Sequence, residues 1–207
     1  MNTDKQVLDS QYVDFIERWR TLPTLTLMID QKWDGTTLPT SQHGSVRLTP
    51  IQQGLKIEIM AYFNNDVPPS TPIQTTWKLW EYEVVECFIT NGDKRYIELE
   101  FGPYGHHLGL RLSDVRSIDG DPFSIELTTQ IDRKYKRWSG SALLNWHDLF
   151  WLGEVSTERI CVNAFACWGP PHHRIYAVNT SLGDGPPDFH RVNLFSSWIT
   201  LAKLRNK

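Results

Sequence analysis

The sequence predicts a mainly β protein, an antiparallel β-sandwich preceded by a short N-terminal helix. Three observations carry that reading. Runs of alternating apolar and polar residues recur along the chain, which is the period of a strand with one buried face. Turn signals rich in Gly, Pro, Asn and Asp separate them. Residues 11–20 form the clearest helical stretch, so strands have no partner helices to make a parallel α/β sheet. At 207 residues the chain is long enough to bury a substantial core in one domain. We divide it into a helical extension over 1–25 and a single sandwich over 26–207.

The elements follow in order. Tyr12, Phe15, Ile16 and Trp19 recur at helical spacing, so this helix lays an apolar face on the sandwich. Residues 54–63 alternate as a strand. Residues 64–76, rich in Pro and Thr, form a long loop that delivers the chain to Trp77 and Trp80; loops of this length are usually functional or disordered. A strand over 79–89 puts Trp80, Tyr82, Val84, Glu86 and Phe88 on one face. Glu86 therefore lies among apolar neighbours, where an unpaired carboxylate costs several kcal/mol. It needs a partner such as Arg111 or Arg116, a raised pKa, or a place at the sheet edge.

The next two strands are read residue by residue. Over 95–101, Ile97, Leu99 and Phe101 share the buried face, and Tyr96, Glu98 and Glu100 the other. Gly102, Pro103, Tyr104 and Gly105 make a turn. Over 106–112, His106, Leu108, Leu110 and Leu112 point inward, and His107, Gly109 and Arg111 outward. A four-residue loop sets Phe101 opposite His106, Glu100 opposite His107 and Tyr96 opposite Arg111. That register gathers Tyr96, Glu98, Glu100, His107 and Arg111 into one polar cluster. Later strands span 138–144, 160–168 and 174–178, with a short capped helical turn at 145–150. A loop over 183–188 returns the chain to Phe189, His190 and a closing strand.

Composition removes several classes of function. A hydrophobic fraction of 40% with nine Trp, seven Tyr and nine Phe excludes general disorder. The net charge of −3 with mixed signs gives no polyanion-binding stripe, so no nucleic-acid partner is expected. The basic run Arg133 to Arg137 reads as a solvated hairpin. Cys87, Cys161 and Cys167 lack metal or redox spacing and fall in apolar strands, Cys161 and Cys167 on one face. No disulfide framework is expected. With no apolar h-region at the N-terminus and no span of about 18 apolar residues, the expectation is a soluble, cytoplasmic protein without a membrane partner.

Residues 79–86, 96–100, 103–107 and 187–190, together with Trp33, Asp34 and Gly35, resemble an uncharacterised family of small single-domain proteins. The likeness covers nearly the whole chain after the first 25 residues. That family is similar to the sandwich fold of carbohydrate-binding modules of family 9 and to the related DOMON sugar and haem domains. In family 9 modules a tryptophan precedes a Val-Glu-hydrophobic-Phe strand, matched here by Trp80 and by Val85, Glu86, Cys87 and Phe88. The resemblance implies that Trp80 is a stacking platform, Glu86 a hydroxyl acceptor and Trp168 a second platform. On the next strand such modules tend to offer a basic donor, where this chain has Glu98 and Glu100.

The expected function is non-catalytic binding of a small polar ligand, such as a saccharide, on a concave sheet face. Trp80, Trp168, Tyr96 and Tyr176 supply rings against which axial C–H bonds stack. Glu86, Glu98, Glu100, His107, Arg111 and His190 supply polar contacts. The same residues admit a hydrolase or isomerase of a small sugar-like metabolite. Glu98 and Glu100, or Glu81 and Glu83, lie two strand residues apart, roughly 7 Å, which overlaps the carboxylate spacing of an inverting glycosidase. A metal is the third possibility. His107, His190, Glu100 and one of His172 or His173 would suit a transition metal, and the loop around Asp184 and Asp188 a structural calcium ion. For haem, suggested by the DOMON likeness, Met28 and Met60 are read as core residues instead.

Overall fold

The computed structural model describes residues 3–153 and 156–205. In chain order its elements are α1 (Thr3–Arg20), β1 (Leu25–Ile29), β2 (Gln31–Lys32), β3 (Gly44–Pro50), β4 (Gly54–Tyr62), β5 (Val84–Thr90), β6 (Tyr96–Phe101) and β7 (His107–Asp114). Then come β8 (Ser117–Ile118), β9 (Glu126–Asp132), β10 (Arg137–Asn145), α2 (Trp146–Phe150), β11 (Cys161–Trp168), β12 (Ile175–Val178), β13 (Ser196–Ser197) and α3 (Trp198–Arg205). A smaller sheet runs β1-β3-β4-β10-β9, and a larger one β2-β12-β11-β5-β6-β7-β8, with β13 on the flank of β11. Every ladder between these strands is antiparallel. This is the mainly β sandwich with a helix at its N-terminus that the alternation pattern predicts.

The two sheets are packed differently, and the difference positions the site. Leu55, Ile57, Ile59 and Ala61 of β4 meet Val85, Cys87 and Ile89 of β5 and Ile97, Leu99 and Phe101 of β6 in the core between the sheets. Phe15 and Trp19 of α1 belong to that same core, and Trp19 meets Trp198 of α3 edge to face at 6.2 Å. Outward-facing residues of the smaller sheet reach solvent: Met60, expected in the core, is 58% exposed. The larger sheet is covered on its outer face too. There Val84, Phe88, Tyr96, Leu108, Leu110, Phe165 and Val178 pack under Trp33, Leu79, Leu182 and Phe195 in a second core. All of β5 and β6 is therefore buried on both faces.

Three readings of the sequence need correction. Residues 79–81 make a single 3-10 turn, and the strand expected from residue 79 starts at Val84. Lys78 stands in the left-handed region before that turn, at φ 62°. The closing strand shrinks to Ser196–Ser197, followed by α3. The loop between β6 and β7 holds five residues, not four. Gly102 donates its amide to the His106 carbonyl at 2.8 Å, and Gly105 takes a φ of 95° inside the turn. Phe101 consequently pairs with His107, Glu100 with Leu108 and Tyr96 with Leu112. One extra residue turns every side chain of β7 relative to β6, so His107, Gly109 and Arg111 share the inter-sheet face with Ile97 and Leu99.

Candidate functional site

A cavity of about 450 Å³ lies between the outer face of the larger sheet and the loop that precedes β13. Alternation builds its floor. Val84, Glu86 and Phe88 of β5 point outward beside Tyr96, Glu98 and Glu100 of β6, with Glu86 directly opposite Glu100 and Phe88 opposite Glu98. Three glutamates thus share one patch while only 3% (Glu86), 4% (Glu98) and 0% (Glu100) exposed. Removing a carboxylate from water penalises its charged form. Burial, then the Glu86 and Glu98 charges, hold the Glu100 pKa well above the ordinary range, against an opposing pull from the Trp80 amide. Burial and the Glu98 charge raise Glu86 likewise, opposed by Arg174. Glu98 is raised to about 7 by burial, offset by the neighbouring Glu100 carboxyl and by the Arg116 charge. No described group, neighbouring carboxyl included, reaches hydrogen-bond geometry with either Glu100 oxygen or with Glu98 Oε2.

The aromatic rim comes from the turn before β5. Trp77 is exposed, Trp80 is half-buried, and their rings meet edge to face at 5.2 Å. Arg174 holds that turn in place. Its guanidinium donates to the carbonyls of Trp80 (2.8 Å), Glu81 (3.2 Å) and Gly169 (3.4 Å), and also to that of Tyr82. With four of its five N–H donors directed at backbone carbonyls, Arg174 acts on Glu86 through its charge. Tyr176 and Phe189 supply two further rings, 6.1 Å apart, and Phe189 stacks on Phe165 at 4.0 Å.

The far wall is a hydrogen-bonded chain. The Arg116 amide donates to the Tyr96 hydroxyl at 3.0 Å, leaving the Tyr96 proton for His190 Nδ1 at 2.7 Å. The Arg116 guanidinium pairs with Asp188 at 2.8 Å, and the same carboxylate oxygen accepts the His190 amide at 3.0 Å. Burial, helped by the Arg116 charge, lowers His190 to about 4, so its ring is neutral at pH 7. An Nδ1 that accepts from Tyr96 puts the ring proton on Nε2, and His190 lines the cavity. Burial pushes Tyr96 up to about 12, which keeps its hydroxyl a donor as well. Trp33 anchors this wall through its indole N–H to the Gly185 carbonyl at 2.8 Å. Arg191 lies over the Trp33 ring and holds the carbonyls of Leu182 and Asp184.

Of the residues singled out from sequence, Trp80, Glu86, Glu98, Tyr176 and His190 line the cavity, and Tyr96 and Glu100 stand behind that lining. Three do not join them. His107 meets Gly105 and Ser124 on the inter-sheet side at 3.1 and 3.2 Å. Arg111 pairs with Asp148 at 2.6 Å and lies over the Phe123 ring. Trp168 packs on Tyr62 at 5.6 Å in the inter-sheet core, because Cys167 takes the cavity-facing phase of β11. Trp77, Arg116 and Phe189 also line the cavity, outside the contact set the sequence suggests, and Asp188, expected only as a calcium ligand, joins them. For Asp188 and Phe189 a signal existed in the motif over 187–190.

The other readings fare as follows. Glu81 is exposed and pairs with Lys78 at 3.4 Å, while Glu83 is buried and accepts the amides of Asn64 and Asp66. Glu100 does not line the cavity, so neither glutamate pair flanks an open gap. Among the described residues no three His, Cys, Asp or Glu side chains converge at metal-binding spacing. His172 and His173 sit on an exposed turn, and His107 and His190 on opposite faces of the sheet. In the loop around Asp184 the carbonyls of Leu182 and Asp184 accept from Arg191, and Asp188 pairs with Arg116. No helix among the described residues is long and apolar enough to cross a membrane.

Fold and site together define a β-sandwich protein with an aromatic-rimmed, acid-floored cavity on its larger sheet. No family model matches the chain. Over 180 residues it is 34% identical to the UPF0462 protein C4orf33 homolog of Rattus norvegicus, covering 81% of this chain and 84% of that one. It is 31% identical over 182 residues to UPF0462 protein C4orf33 of Homo sapiens, covering 82% and 85%. The chain belongs to the UPF0462 (C4orf33) family, in keeping with the resemblance in its motifs. Among solved structures, a "putative carbohydrate-binding protein" from Bacteroides uniformis superposes with a TM-score of 0.59 over 84% of each chain at 14% identity, a likeness of fold.

Proposed function

We propose that the protein binds a small polar ring-shaped ligand, a saccharide, in this cavity without transforming it. The observation that carries the reading is the pairing of an accessible indole rim, Trp77 and Trp80, with a buried acidic floor at Glu86 and Glu98 beside the partly buried His190. Aromatic faces take the C–H side of a sugar ring, and a few fixed acceptors and donors take its hydroxyls. The carbohydrate-binding description of the Bacteroides neighbour supports the same class. Three free cysteines, two of them buried, suit a reducing compartment such as the cytoplasm.

A thermal-shift screen against mono- and oligosaccharides tests this. A ligand at 100 times its Kd adds about 2.7 kcal/mol of apparent stability. A saccharide should shift the wild type and leave Trp80→Ala unmoved. If no saccharide shifts the wild type, or one shifts both proteins equally, the reading is wrong.

A further inference from the structure

The cavity floor carries more acid than its surroundings neutralise. Among the described residues none of the ion pairs includes Glu86, Glu98 or Glu100. The two nearest guanidinium groups are already engaged, Arg116 with Asp188 and Arg174 with four backbone carbonyls. Glu98 Oε2 is buried without a hydrogen-bond partner, and no described hydrogen bond or ion pair includes Glu86, although both side chains line the cavity and are more than nine-tenths buried. Native proteins pair nearly all buried polar groups, and an unpaired buried carboxylate is among the costliest exceptions. The cavity that Glu86 and Glu98 line is where a partner for these carboxyls would be received.

We propose that the partner is a protonated amine on the ligand, received by Glu86 and Glu98, so that the cavity selects an amino sugar over a neutral one. The inference rests on the saccharide reading above and names the ligand class within it. An ammonium group supplies three N–H donors and a positive charge, and its bonds to carboxylates are roughly twice as strong as neutral ones. A neutral hydroxyl brings one donor and no charge. Four rings around the same space, Trp77, Trp80, Tyr176 and Phe189, add to the preference, because an aromatic face attracts a cation. The raised pKa values of the three glutamates agree in direction: burial disfavours their bare charge and favours a positive partner.

Titration calorimetry on the full chain at pH 7 tests the inference. Glucose derivatives carrying an amine at C2, C3 or C6 are compared with glucose and with their N-acetyl counterparts, and cyclohexylamine with cyclohexanol. At least one amino sugar should bind tenfold or more tightly than both its N-acetyl form and glucose. Glu98→Gln, or Glu86→Gln if the first does not fold, should abolish the difference. If glucose or an N-acetyl sugar binds as tightly as every amine, the amine inference falls and the saccharide reading stands. If cyclohexylamine binds over cyclohexanol while no sugar binds, amine recognition stands and the saccharide reading falls. No binding by any compound overturns both.

Discussion

At the scale of single residues, the floor glutamates oppose folding. A glutamate near 4.5 in water but raised to about 7 in the fold costs about 3 kcal/mol once the solution is alkaline enough to ionise it in both states. The folded pKa is the higher one, so the stability linked to this group is fully present below about 4.5 and is lost as pH rises through about 7. Glu98→Gln should therefore raise stability over the wild type by that order at pH 8.5 and by almost nothing at pH 4.5. Urea titrations at the two pH values measure it. A gain of equal size at both, or no gain at pH 8.5, counts against a buried ionisation cost. His190, lowered to about 4, works in the other direction. Its contribution is full above about 6.5 and shrinks as pH falls toward 4, but it is common to both proteins and cancels in the comparison. The substitution that strengthens the fold also removes a ligand contact, as expected where polar groups are kept for function at the expense of stability.

At the scale of elements, the loop over 181–191 decides whether there is a cavity at all. Trp33, almost 150 residues earlier, ties it down with one indole N–H, helped by Arg191 across its ring. Trp33→Phe keeps the ring and removes the donor. A hydrogen bond of this kind contributes about 1 kcal/mol net, so ligand affinity should fall about fivefold. Amides of 181–191 should exchange faster while those of β5 and β6 keep their protection. Hydrogen exchange that is uniform along both segments would show that the anchor does not act on the loop. This scale is also where sequence reading succeeds and fails. Alternation alone put Tyr96, Glu98 and Glu100 on one face and Glu86 with Phe88 on another strand's matching face. It could not count the residues of a turn, so His107 and Arg111 landed on the wrong side. Gly109 held a clue: a Cβ there would lie 2.5 Å from the Phe123 ring, the mark of a packed inner face. The same phase count, applied from Cys167, would have sent Trp168 inward. The cover supplied by 181–195 was not legible, because it is irregular backbone whose position depends on contacts distant in sequence.

At the scale of the whole molecule, the larger sheet serves two interiors, an apolar one shared with the smaller sheet and a mixed one beneath the returning chain. Glu98 precedes His190 by 92 positions, and a ribosome adding 5–20 residues per second needs about 5 to 20 seconds to cover that stretch. Until Leu182 and Phe195 emerge, only Trp33 and Leu79 are at hand to cover Val84, Phe88, Leu108 and Leu110 on the outer face of the sheet. Hydrated and ionised, Glu86, Glu98 and Glu100 then act as gatekeepers against association of an apolar sheet face. A chain ending at residue 180 should accordingly aggregate faster with Glu86→Gln and Glu98→Gln than with both glutamates in place, as followed by light scattering; equal rates would rule the role out. The charges that the finished fold must suppress protect the unfinished one from its neighbours on the polysome.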